Sequence, residues 1–459
     1  MNTAATATRT DNRDLATDLN GTVKSPGKNP VENSMNAAAM QQHLPVAVIG
    51  GGQAGLAISW YLKKAGIEHL VFEKNSIAHE WRDARWDSFC LVTPNWQCRL
   101  PGFHYAREYG GDDPHGFMLK DDIVAYLEAY VASFAPPVRE GECVRRVRAN
   151  EQGGFDITTD RGGYRSTYRA DQIVVATGGY QTPFIPRQAE RLPAQITQLH
   201  SSDYRNPQAL PAGPVLVVGT GQSGCQIAED LHLAGREVHL SVGTAPRSPR
   251  VYRGREVTDW LTDSGYYDIP LATHPQKDTV REKTNHYLTG RDGGREIDLR
   301  KFALEGMHLY GRFDSIEGSR FTFTRDLKTN LDAADNSYNN IRAMIDAYID
   351  ANAIDAPREA PYAPPWQPDV ESTELDFVAA GIRTVIWCIG FGTDYRWLEL
   401  PVFDGRNQPV HARGITAVDG VYFLGLPWQN TWGSGRFADV GQDAEYVFRH
   451  LRQTSQMFS

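Results

Sequence analysis

The sequence predicts an α/β protein made of two strand–turn–helix–strand units, the second inserted into the first. Three observations carry this expectation. Glycine-rich turns follow short β-branched runs twice, over residues 46–55 and 215–224. Each turn opens a helix-like stretch and is followed by a further strand-like run. Strand character then returns late, at 384–388 and 420–424, which takes the chain back to the first unit.

In chain order, residues 1–43 are rich in Ala, Thr, Asn and Asp and lack the apolar core of a signal peptide, so a disordered tail is expected. Met35 and Met40 are alternative starts. The first nucleotide-binding segment is expected over 44–180, the inserted second unit over 181–375, and the remainder of the first unit over 376–459.

In the first turn Gly50, Gly52 and Gly55 match GxGxxG, with Gln53 and Ala54 between, directly after a strand and before a helix. The first glycine permits the sharp turn, the second lets a pyrophosphate approach the backbone, and the third lets helix and strand pack closely. The helix start then offers free N–H groups and its positive dipole end to phosphate. Glu73 ends the next strand, 18 residues beyond Gly55, where a carboxylate accepts from ribose hydroxyls; Lys74 follows it. This set predicts a dinucleotide site.

Gly219, Gly221 and Gly224, with Gln222 and Ser223, repeat the pattern. Ser241 is expected to stand where Glu73 stands in the first unit. A hydroxyl there donates to a 2′-phosphate that a carboxylate would repel. Arg247 and Arg250 follow closely, and guanidinium groups suit phosphate through paired planar donors. The first site therefore suits FAD or NAD, and the second NADPH rather than NADH.

Between the units, 143–159 reads as short strands, with Arg161-Gly162-Gly163 as a hairpin turn, and 171–178 as a strand. Residues 250–335 show no clear pattern. Ile341, Met344, Ile345, Tyr348 and Ile349 follow helical spacing, with Asp335 or Asn336 as the cap. Five prolines in 357–368 predict a connector without helix or sheet.

A net charge of −9 argues against general nucleic-acid binding. No apolar run of about 18 residues predicts a membrane span. Five cysteines, an odd number with no CxxC pair, argue against a disulfide framework or zinc site and suit a reducing cytoplasm. No metal ligands are expected.

The two units together resemble the two-dinucleotide flavoproteins, two Rossmann-like domains with the NADPH domain inserted into the FAD domain. The flavin-containing monooxygenase branch, and its bacterial group of flavoproteins, is the nearest likeness. Ala176-Thr177-Gly178 resembles the segment linking the domains, Ile389-Gly390-Phe391-Gly392 the return crossing, and residues 420–425 the last FAD strand. Glu80-Trp81-Arg82 and the segment 91–95, ending in Asn95, resemble the stretch that passes the flavin. Of the branch marker FxGxxxHxxxY the chain keeps His200 and Tyr204, with Ala194 and Ile196 where Phe and Gly stand in the family.

This resemblance implies FAD and NADPH as cofactors and Thr177, Gly178, Trp81 and Arg82 as FAD contacts. It implies a monooxygenase in which reduced flavin and molecular oxygen form a C4a-(hydro)peroxide that oxygenates a small organic substrate at N or S. It makes Asn95 the candidate polar side chain beside the flavin, with Gln97 as the alternative, and a homodimer an ordinary assembly. His200 is expected to orient the backbone at the domain crossing. A plain NADPH oxidase, a Baeyer–Villiger monooxygenase and a non-catalytic flavin-binding redox regulator share the scaffold and remain open. A disulfide reductase needs a CxxC beside the flavin.

Overall fold

The computed structural model describes residues 42–457 apart from Lys283, so the expected tail lies almost wholly outside the described residues. Its last expected members, Gln42 and His43, begin the first strand instead, paired with Tyr168 and Arg169.

The first sheet contains β1 (Gln42–Ile49), β2 (His69–Glu73), β3 (Val138–Glu140), β4 (Cys143–Ala149), β5 (Phe155–Arg161) and β6 (Tyr164–Val175). Strands β3, β2, β1 and β6 run parallel in that order, and β6, β5 and β4 continue antiparallel. β5 and β6 are joined at Arg161↔Tyr164 by Gly162 and Gly163, both at positive φ (59° and 90°), which only glycine adopts freely. Helix α1 (Gln53–Lys64) leaves the first glycine turn, and α2 (Lys120–Phe134) packs on it through Tyr126, Leu127 and Tyr130.

The second sheet is wholly parallel. Its strands are β7 (Thr197–His200), β8 (Val215–Val218), β9 (Val238–Ser241), β10 (His308–Tyr310) and β11 (Thr384–Trp387), in the spatial order β7-β11-β8-β9-β10. β8, β9 and β11 are buried throughout, as expected of parallel strands covered on both faces. Helix α3 (Gln222–Leu233) leaves the second glycine turn. Helix α4 (Leu327–Ala351) begins well before the expected cap. Asp335 lies inside it on the buried face, where it accepts from Arg247 and Arg300 rather than capping. The helical spacing of 341–349 marks only its C-terminal half, because the N-terminal half buries Asn330 and Asp335 beside Leu331 and Ala334 and so hides its period.

β11 sits in the middle of the second sheet, so the return to the first unit falls later than residue 376. The crossing is at Phe391–Gly392, which pairs with Thr182–Pro183 on the outward crossing. The chain re-enters the first sheet with β12 (Val421–Phe423), parallel to the C-terminal half of β6, and ends in α5 (Val440–Met457), packed on α1 with Tyr61 stacked on Phe448. The proline segment carries no helix or strand. One apolar core cluster joins both units, running from Val48 and Leu56 through Tyr204 to Val217 and Ile227.

Candidate active site

Both glycine turns lie at the C-terminal ends of parallel strands. Gly50 and Gly219 have φ of 109° and 103°, where any side chain is strained. A Cβ on Gly50 would lie 2.5 Å from the Ala176 carbonyl oxygen, and one on Gly219 would lie 2.7 Å from that of Cys388. A Cβ on Gly55 would meet the Gly50 oxygen at 1.8 Å, and one on Gly224 the Gly219 oxygen at 2.0 Å. First and third glycines are therefore fixed by close backbone packing in both turns.

The middle glycines differ from these. A Cβ at Gly52 would meet nothing within 4 Å, and one at Gly221 only the Thr284 methyl at 3.9 Å. Backbone that faces open space at the start of a helix leaves room for a diphosphate. Neither α1 nor α3 has a side-chain cap or an acidic residue in its first turn, so neither helix's own start supplies an anion to compete for those N–H groups. The residues present thus fit a dinucleotide at each turn.

At the first turn, Glu73 accepts from the Gly51 N–H through Oε2 (2.8 Å) and from the Asn75 N–H through Oε1 (2.8 Å). The carboxylate is held beside the turn with lone pairs left for ribose hydroxyls, and Lys74 beside it is exposed. Late segments close this turn. Gln53 Nε2 donates to the Gly435 carbonyl (2.9 Å), and Gly425 comes so near Ala54 that a Cβ there would touch it at 2.6 Å. Thr177 Oγ1 and the Gly178 carbonyl both accept from Gln181 Nε2 (3.0 and 2.8 Å), which pins the outward crossing. Trp81 stacks on Phe437, which directly precedes the segment leading into α5, while Arg82 donates to Ser76, Ile77 and Glu128 and braces its own loop.

The second turn corrects the expected partner of Glu73. Gly50 N–H donates to the Phe72 carbonyl, and Gly219 N–H to that of Ser241. Ile49 pairs with Phe72, and Val218 with Ser241. Ser241 is thus the counterpart of Phe72, and the residue matching Glu73 is Val242. A slip of one residue reverses the side chain's face. Ser241 is buried and donates to the Gly311 carbonyl (3.0 Å), away from the turn. The link between turn and strand end is also reversed: Gly243 N–H donates to Thr220 Oγ1 (2.9 Å). Gln222 clamps the overhanging segment, donating to the Leu288 carbonyl and accepting from its N–H, and Ser223 follows at the helix start.

Arg247 and Arg250 are likewise corrected. They are 1% and 2% exposed, so neither guanidinium faces solvent, where a 2′-phosphate would arrive. Arg247 donates to Asp335 (2.9 Å) and Glu296 (2.6 Å), lies 3.5 Å from Asp298, and stacks against Tyr338 and Tyr362. Arg250 is paired with Glu256 and donates to the Val92 carbonyl. The proline-flanked segment that carries them turns inward beneath α4, and four buried or half-buried carboxylates are what make burying the two cations tolerable.

Asn95 is also fully engaged. It is buried, its Nδ2 donates to the Asp113 carbonyl (2.9 Å) and its Oδ1 accepts from the Met118 N–H (2.6 Å), so it staples a loop. Two residues on, Gln97 is equally buried, and its Oε1 has no hydrogen-bond partner among the described residues. His200 meets its expectation. Its Nε2 is 3.0 Å from the Gly390 carbonyl, its ring packs edge-on to Phe391, and burial lowers its pKa. Tyr204 donates to Asp230 on α3 (2.6 Å), a carboxylate that also takes Ser88 and Arg291. Sequence reading missed that hub, and the acceptor role of Thr220, because their partners are set by contacts between segments distant in the chain.

A family model described as pyridine nucleotide-disulphide oxidoreductase matches residues 47–337, which takes in both glycine turns. The chain belongs to this family. It is an oxidoreductase of the two-nucleotide flavoprotein type. It is 34% identical over 416 residues to an uncharacterized oxidoreductase CzcO-like of Geobacillus kaustophilus, covering 90% of this chain and 99% of that one. Indole-3-pyruvate monooxygenase YUCCA4 of Oryza sativa is 33% identical over 201 residues, 40% of this chain and 44% of that protein. Among solved structures, a flavin-containing monooxygenase from Stenotrophomonas maltophilia shares the fold, with a TM-score of 0.60 at 19% identity over 91% of this chain and all of that one. Disulphide chemistry, which the family's description names, needs reactive thiols. Cys90, Cys98, Cys225 and Cys388 are instead buried and free, and burial raises their pKa values. No helix among the described residues is long and apolar enough to cross a membrane.

Proposed function

We propose that this oxidoreductase is a monooxygenase that holds FAD at the first glycine turn and NADPH at the second, and inserts one atom of molecular oxygen into a small organic substrate at nitrogen or sulfur. The observation that carries the nucleotide assignment is the pair of like cradles with Glu73 at one and Val242 at the other. A carboxylate beside the strand end suits ribose hydroxyls, whereas an apolar residue there leaves a 2′-phosphate unopposed. Arg312 takes the phosphate role in this reading. It lies two residues past the end of β10, beyond the last pair with β9 at Ser241↔Tyr310, and its half-exposed guanidinium is paired with Asp326 (2.7 Å).

A bound flavin supplies hydride acceptance from NADPH and activation of oxygen. The protein's part is positional. Gly52 and Gly221 admit the two diphosphates, Glu73 orients the first ribose, and His200 fixes the crossing between the units through Gly390. Gln97, with an unfilled acceptor, is the side chain we assign to the reacting region in place of Asn95. The monooxygenase reading is supported by the named relatives and by the absence of an accessible cysteine pair among the described residues.

The test is anaerobic reduction with NADPH followed by mixing with oxygenated buffer in a stopped-flow instrument. Monooxygenation requires a near-ultraviolet species that persists for seconds and decays faster with an amine or sulfide substrate. Immediate return of oxidised flavin with stoichiometric hydrogen peroxide, with and without substrate, makes the protein an oxidase. Failure of NADPH to bleach the flavin leaves only a binding module.

A further inference from the structure

At the end of the second sheet away from the glycine turn, three side chains converge that the redox site does not use. His239 on β9 and His308 at the start of β10 are direct partners across the parallel ladder, and Glu237 immediately precedes β9. The two imidazole rings stack 4.6 Å apart at 18°. Glu237 Oε1 lies 3.4 Å from His239 Nε2 and 3.5 Å from His308 Nε2. One ligand atom from each residue lies within 4.8 Å of the other two. In a tetrahedral site with ligand bonds of about 2.0–2.1 Å, neighbouring ligand atoms are about 3.3 Å apart. Two of the three edges are therefore already near the right length, and the third is within 4.8 Å.

In the tautomer of His239 that donates to Tyr310, the cluster presents facing acceptors that a cation would join. His239 is 4% exposed, and its Nδ1 is 3.0 Å from the Tyr310 hydroxyl. Among the described residues its Nε2 has no hydrogen-bond partner, although it lies 3.4 Å from the Glu237 carboxylate. When Nδ1–H donates to Tyr310, Nε2 presents a lone pair toward an anion, so two acceptors oppose each other. A buried, oriented imidazole whose second nitrogen is anchored by a hydrogen bond is the usual form of a metal ligand.

We propose that Glu237, His239 and His308 form a site for a divalent first-row transition metal of the zinc class, which clamps the start of β9 to β10. Two imidazoles and one carboxylate are borderline ligands that suit Zn²⁺, Ni²⁺ and Cu²⁺ rather than Ca²⁺ or Mg²⁺. His308 and Glu237 are half exposed, so the ion has an entry path and a fourth position for water. The histidines are 69 residues apart in sequence, and no motif spacing signals them.

The test uses the flavin-loaded protein without an affinity tag, with Zn²⁺ alone in calorimetry and Cu²⁺ alone in electron paramagnetic resonance. The wild type takes one Zn²⁺ per chain at this site, and its melting temperature rises on loading. His308→Ala and Glu237→Gln, both at exposed positions, each weaken that binding by about tenfold or more and abolish the rise. The Cu²⁺ spectrum shows coupling to two nitrogens in the wild type and to one in His308→Ala. Equal affinity and equal spectra in wild type and variants would place the metal elsewhere and overturn the proposal, as would the absence of any Zn²⁺ binding tighter than millimolar.

Discussion

The two glycine turns have nearly the same backbone but are held from opposite sides. At the first, the strand end reaches in: Glu73 grips the Gly51 N–H. At the second, the turn reaches out: Thr220 accepts from Gly243, beyond the strand end. A Cβ at Gly51 would press the Glu73 Cβ at 2.9 Å, so a threonine cannot be placed there without displacing the carboxylate. The difference teaches that, under the proposed assignment, nucleotide preference resides in the pair of contacts joining turn to strand end. The glycines themselves supply only the shared cradle.

The largest expected effects test the cradles. Gly55→Ala puts a methyl group 1.8 Å from a carbonyl oxygen and yields protein that purifies without flavin. Gly224→Ala does the same to the second turn, so that variant stays yellow while its rate of bleaching by NADPH falls by about a hundredfold or more, close to 3 kcal/mol. If Gly224→Ala loses flavin instead, the assignment of the two turns is reversed. Arg247→Ala comes next. It strands buried carboxylates and costs about 3–5 kcal/mol in urea unfolding. A variant of unchanged stability with a raised KM for NADPH alone would return Arg247 to the phosphate.

Helix α5, packed on α1, contains a testable carboxyl of its own. Asp443 is 2% exposed, its Oδ2 lacks a hydrogen-bond partner among the described residues, and burial raises its pKa from 3.8 to about 6. A folded-state pKa above the unfolded value means that the protonated form is preferred in the fold. The cost of ionisation therefore grows from pH 4 to 6 and is constant above that. Asp443→Asn gains stability over wild type by up to about 2 kcal/mol near pH 8 and nothing below about pH 4, measured by melting at both values.

Two smaller effects sharpen the contrast at the second turn. Thr220→Gly with Val242→Glu imports the first turn's contact and shifts kcat/KM toward NADH over NADPH by about tenfold to a hundredfold, 1.4–2.8 kcal/mol. Arg312→Ala raises the KM for NADPH by about tenfold and leaves NADH unchanged. Equal response to both coenzymes would exclude Arg312 from the phosphate.

Much of this architecture was legible in the sequence because GxGxxG encodes local backbone geometry: each glycine's reason lies within a few residues or on the neighbouring strand. Glu73 was legible by distance along the chain. Its counterpart was not, because a strand boundary one residue out turns Val242 into Ser241 and reverses the side chain's face. Arg247 and Arg250 have a phosphate-binding composition, but their partners Glu296, Asp335 and Glu256 are assigned by tertiary packing alone. The start of α4 was hidden because burying charged and amide side chains breaks the apolar period on which sequence reading relies. Asn95 and Gln97 are both buried amides, and only the hydrogen bonds separate the stapled one from the one with an open acceptor.

The placement of β11 has a consequence for how the chain is made. Among the described residues β7 pairs only with β11, and β8 needs β11 on its outer side, yet β11 is translated after nearly all of the second unit. During synthesis, β7 and one edge of β8 therefore emerge without partners, and the first sheet waits still longer for β12 to cover β6. Both sheets are completed in the last part of the chain, so the nascent protein carries open parallel edges on two sheets at once, the kind of surface on which unfinished chains adhere to one another. A ribosome that stalls before Trp387 releases two unfinished sheets, with no completed domain between them.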